Sequence, residues 1–191
     1  MYFEIIINLF VVGYFLSMPL IGLVVALVQI LRTRRPRPAG RVVEICTRQF
    51  MFWVVGMLFL CNFVFHTFFG ELAASLIGWD DSPFQAEVGY ASLGFALLGF
   101  LAAFSSWSVR LGAVLAVTPF LWGAAVGHVV DMVQNGNFTA GNAGFVLWLD
   151  ILLPAVGIVL LWLSRRHPSS ASSRPVVPSG IAPGRRTADA V

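Results

Sequence analysis

Five apolar runs dominate the chain, at about residues 5–31, 49–77, 83–104, 111–130 and 144–163. Each reaches the roughly 18 or more residues that a helix needs to cross a bilayer. Hydrocarbon offers no hydrogen-bond partner to the backbone, so runs of this length cross as helices. The pattern predicts an all-α fold: an integral membrane bundle of five transmembrane helices over residues 1–164. Composition supports this. Of 191 residues 58% are hydrophobic and only 11% charged, where a soluble domain carries about a quarter charged residues. The first run has no basic segment before it and exceeds a signal-peptide core, which predicts a retained helix, kinked at Pro19.

The basic residues orient the bundle. All twelve are arginine. They fall in RTRRPRPAGR (32–41) with Arg48, at Arg110, and from Arg165 onward, which is after runs one, three and five. Basic residues mark the cytoplasmic side, so the N-terminus is expected outside and the C-terminus in the cytoplasm, in the cell membrane. The other side receives Glu4, Glu71, Asp80, Asp81, Glu87 and Asp131, with Asp150 inside the fifth run. Residues 165–191 are rich in Ser, Pro and Arg, with no apolar period, and are expected to form a disordered cytoplasmic tail. The net charge of +3 is explained by topology and does not point to nucleic acid. The expected partner is the lipid bilayer, with a membrane protein or a second copy as further candidates. The arginine-rich connector can touch anionic headgroups, though topology alone accounts for it. Cys46 and Cys61 lack metal-ligand spacing and are not expected to pair.

Between the second and third runs lies IGWDDSPFQAEVG (77–89). Ser82, Pro83 and Gln85 have the order of a capping box, with proline at the first helical position. Glu87 follows where the helix dipole favours an acid, and Trp79 and Tyr90 suit the membrane interface. The segment, with FHTFFGEL (65–72) before it, resembles a family of small bacterial multi-helix membrane proteins of unknown function that carry an IGW-x-x-SPFQ-x-E-V-G signature. The resemblance covers about residues 63–99 and rests on His66, Glu71, Trp79, Ser82, Pro83, Phe84, Gln85, Glu87 and Gly89. It implies a bacterial membrane protein and no particular activity.

Ionisable residues at membrane depth are costly and are candidates for function. His66, Glu87, His128, Asp131 and Asp150 all fall in the outer half of the expected bundle. Asn62 lies four residues before His66, and His128 three before Asp131, so each pair shares a helix face. These six are expected to converge on one outward-facing pocket. They can handle a proton or a polar ligand, or tie helices together, and His66 with His128 can hold a metal or haem iron. The spacing selects no cofactor. Gly89, Gly94 and Gly99, and the pair Gly123 and Gly127, allow close helix packing, expected to be internal. The function expected is that of a non-enzymatic accessory or ligand-binding membrane protein. The alternatives are a metal- or haem-linked redox protein and a proton-coupled transporter subunit.

Overall fold

A computed structural model describes residues 2–168, with side chains from Gly13 onward. Those residues are helical, with no strand among them. The elements are α1 (Tyr2–Arg32), α2 (Ala39–Gln49), a π-helical segment (Phe50–Met57), α3 (Leu58–Phe68), α4 (Gly70–Ile77), α5 (Phe84–Ala103), α6 (Trp107–Asn135), α7 (Ala140–Ala143) and α8 (Phe145–Arg166). Five stretches are long and apolar enough to span a membrane: Gly13–Arg32, Ala39–Phe68, Phe84–Ala103, Trp107–Asn135 and Ala140–Arg166.

The second helix starts at Ala39 rather than near residue 49. Its polar first turns are held by tertiary contacts that hydropathy does not register. Thr47 is fully buried against α8 and bonds Ser164 (3.1 Å), while Glu44 pairs with Arg110. The same helix breaks at Phe69, and α4 continues at a new angle to Gly78. Gly78 adopts φ +83° and closes α4 through the N–H groups of Gly78 and Trp79, both bonded to Ala74 C=O at 2.9 Å. Only glycine takes this left-handed cap without strain. The last helix runs on through Arg166, past the expected start of the tail at 165; residues 169–191 lie outside the described ones.

The expected capping box does not form. Helix α5 begins at Phe84 behind Pro83, without a side-chain cap. The Gln85 N–H bonds the backbone C=O of Ser82 (3.0 Å). The Gln85 side chain turns away from Ser82 to His66, because the ring nitrogen is a partner within reach in a partly buried site.

Packing centres on α5 against the π segment and α3, and on α6 against α8. One face of α5 carries Gly89, Ser92, Ala96, Gly99 and Ala103, all buried. Small residues at this spacing let backbones approach closely. A Cβ at Gly99 would lie 2.5 Å from Gly56 N and 2.6 Å from Val55 C, so only glycine permits this crossing. Gly94, Gly123 and Gly127 play no such part. Gly94 and Gly123 face open space, and Gly127 meets only the edge of Trp79. Phe59, Phe95 and Phe120 pack edge to face in the centre, with centroids 5.2–5.8 Å apart.

Candidate functional site

The structure divides the six candidate polar residues among separate groups instead of one pocket. In the interior, Tyr14 Oη donates to Asn62 Oδ1 (2.7 Å), Asn62 Nδ2 to Ser92 Oγ (2.8 Å), and Ser92 Oγ to Val88 C=O (2.7 Å). All three side chains are buried. The chain of bonds ties α1, α3 and α5 together. Polar groups in such a core must find partners, because an unmet donor or acceptor costs about 1–3 kcal/mol.

His66, one turn beyond Asn62, belongs to a second group. Its Nδ1 lies 2.6 Å from Gln85 Oε1. The amide oxygen only accepts, so Nδ1 carries the hydrogen in this contact. The bond holds the end of α3 to the start of α5. Glu87 takes no part: it is exposed and has no side-chain partner among the described residues.

The third group closes the bundle where α6 ends and α8 begins. Asn142 is fully buried and central to it. Its Nδ2 donates to the carbonyls of Asn137 (2.8 Å) and His128 (3.2 Å), which fixes the amide orientation and points Oδ1 at His128 Nδ1 (2.6 Å). His128 therefore donates from Nδ1, and its Nε2 faces Asp150 Oδ2 at 3.6 Å. Both side chains are buried, with 5% and 2% exposure. A neutral ring with its hydrogen on Nδ1 presents a lone pair at Nε2. At 3.6 Å the approach is close but longer than a hydrogen bond, and it places a carboxyl group beside that nitrogen.

Trp79 lies over the His128 ring, with centroids 5.4 Å apart. Its Nε1 donates to Asp131 Oδ2 (2.8 Å), which also accepts from Asn137 Nδ2 (2.6 Å), while Asn135 Nδ2 donates to Oδ1 (2.6 Å). Asn137 Nδ2 and Thr139 Oγ1 both bond Ile77 C=O at 2.9 Å. The turn after α4 and the α6–α7 turn are thus joined by the Asn137 amide and the Thr139 hydroxyl. Gly141 has no Cβ because the Leu76 carbonyl occupies that place.

His66 and His128 do not come together with a third ligand. Among the described residues no set of three or more His, Cys, Asp or Glu is placed to hold a metal ion. Sequence reasoning missed Tyr14, Ser92, Asn137 and Asn142. The available signal was their polarity: Tyr14 and Ser92 stand inside apolar runs, and the two asparagines stand in QNGNFTAGN (134–142).

A family model described as "Family of unknown function (DUF6790)" matches residues 12–170. Comparison with curated proteins and with solved structures gives no match.

Proposed function

We propose a function from geometry for a chain that belongs to the DUF6790 family, whose function is unknown: it is a non-enzymatic accessory protein of the cell membrane. Its N-terminus lies outside and its arginines in the cytoplasm. Five helices of sufficient length support insertion. So do the large apolar side chains turned outward along them, such as Leu23, Leu101, Val126 and Trp162. The orientation rests on the arginines, which gather at one end.

One observation carries the accessory reading. Asn62, His66, His128 and Asp131 are hydrogen-bonded within this same chain, and Asp150 lies 3.6 Å from His128. Such bonds order a membrane bundle, each contributing about 0.6–2 kcal/mol. They leave a rigid outer end bordered by acids, suited to holding a membrane partner.

The test is metal content and the visible absorption spectrum of detergent-purified protein, with His66→Ala and His128→Ala beside it. The expected result is substoichiometric metal and no haem band in all three. Near-stoichiometric iron, copper or zinc that either variant loses would overturn this reading in favour of a redox protein.

The His128–Asp150 contact favours a second reading, a proton-coupled transporter subunit in which Glu87 has no role. In proteoliposomes under an imposed pH gradient, that reading requires a proton flux that Asp150→Asn abolishes and Glu87→Gln retains. A flux equal to that of empty vesicles removes it.

A further inference from the structure

The opposite end of the bundle holds a cavity that neither the outer polar groups nor the topology accounts for. It is a half-open space of about 470 Å³ between the start of α2, the end of α5, the α5–α6 hairpin and the end of α8. That is within the range of small-molecule sites and far above the roughly 30 Å³ share of one water.

Its walls carry Arg41, Arg48 and Arg110 against a single carboxylate, Glu44. Glu44 is already engaged: its two oxygens accept from Arg110 Nη1 (2.7 Å) and Nη2 (2.8 Å). Arg110 is buried and also donates from Nε to Ala102 C=O (3.1 Å) and from Nη2 to Ala103 C=O (3.3 Å). It is therefore a fixed, neutralised wall that caps α5. Arg41 and Arg48 remain without a carboxylate among the described residues. Arg41 is exposed at the mouth. Arg48 is half-buried and gives one donor to Gln29 Oε1 (3.1 Å), leaving others of its five.

A second feature points the same way. Helix α6, 29 residues long, begins at this cavity behind Ser106, whose side chain makes no cap. Its first N–H groups and the positive end of its dipole therefore lie uncapped at the edge of this space, which Ser105, Ser106 and Trp107 line. Phe104, Val43 and Ala103 make part of the lining apolar. The wall thus combines two cations, the Ser106 hydroxyl and uncapped N–H groups with greasy sides, while the Ser105 and Ser164 hydroxyls donate to Leu101 and Leu160 C=O.

We infer that this cavity binds a phosphate-bearing anionic group, either the headgroup of an anionic phospholipid or a soluble phosphate compound. Basic pockets between transmembrane helices recognise lipid phosphates in this way. Arg41 and Arg48 supply the charge, the α6 N-terminus supplies directional donors, and the apolar side accepts a glycerol or acyl segment.

The test is a titration of the full chain in a neutral detergent with dihexanoyl phosphatidylglycerol, dihexanoyl phosphatidylcholine and inorganic phosphate, read by isothermal calorimetry. Saturable one-to-one binding is expected for an anionic probe and not for phosphatidylcholine. The Arg41→Gln and Arg48→Gln variants should each weaken it about fivefold, while Arg34→Gln in the exposed connector leaves it within about twofold. Ser106→Asp separates binding from folding. Aspartate is a good N-cap, so thermal stability is kept, while a carboxylate in the cavity repels the anion and binding is lost. Binding of phosphatidylglycerol alone identifies a lipid site. Binding of inorganic phosphate that competes with the lipid identifies a site for soluble phosphate compounds. The inference is overturned if no probe saturates, if phosphatidylcholine binds equally, if Arg34→Gln weakens binding as much as Arg48→Gln, or if a folded Ser106→Asp variant still binds.

Discussion

The two ends of the bundle handle polarity in opposite ways. At the end proposed to face outward, neutral amides, one imidazole and two carboxylates lie against each other at 2.6–3.6 Å. At the arginine end, one charge pair is closed and two arginines border open volume. Amides and imidazoles can be satisfied by a few neighbours and then tolerate burial. A guanidinium has five donors and a charge that never leaves it. Among the described residues one of the three arginines at the cavity is paired with an acid, which is the ground for inferring an anion site at that end.

The largest effect is expected where the arginine end is closed. Arg110→Ala would strand Glu44 and uncap two α5 carbonyls, and should cost about 3–5 kcal/mol, read as a fall in the thermal midpoint in detergent. Replacing the pair together, Glu44→Leu with Arg110→Met, should recover most of that loss, since a pair whose arginine is buried and whose carboxylate is partly buried is often exchangeable for apolar packing. If the double variant is as unstable as the single, Arg110 matters chiefly as the cap of α5.

Next comes the outer end. Asn142→Ala removes the hub that joins His128 to two carbonyls, and about 2–3 kcal/mol should be lost. Hydrogen exchange should quicken at 137–143 before it does at α5. Exchange that quickens uniformly would mean that the outer end is not an independent unit.

A smaller effect is expected from Asp150→Asn, which keeps a polar neighbour of the same size for His128. Stability should change by less than about 1 kcal/mol. A large loss would show that the ion pair itself holds the helices. Glu87→Gln should leave the midpoint unchanged, because the side chain is exposed and unpartnered among the described residues. Raised salt should weaken anion binding at the cavity by screening and leave the midpoint of the outer end where it is.

Much of the architecture was legible in the chain. Apolar runs and alternating arginines pointed to five helices and to which ends lie together. The start of the second helix was not, because GRVVEICTRQ (40–49) reads as solvated until Thr47 and Glu44 find partners in α8 and α6. Nor were the partners of the polar residues. Asn62 and His66 share a face by spacing, yet one turns to Ser92 and the other to Gln85. The capping box failed for the same reason: a local rule lost to a partner 19 residues away.

The sequence by itself determined the class of this protein, the number of membrane-length helices and the gathering of arginine at alternate connections. Hydropathy is a sum over neighbours in the chain and needs no third dimension. The tertiary structure alone decided that the six polar candidates fall into separate groups and that the arginines border a half-open cavity. Those outcomes depend on bonds between residues 14 to 66 positions apart. Which of several possible partners a buried donor meets is set by helix packing, and that packing is governed by close contacts such as Gly56 against Gly99.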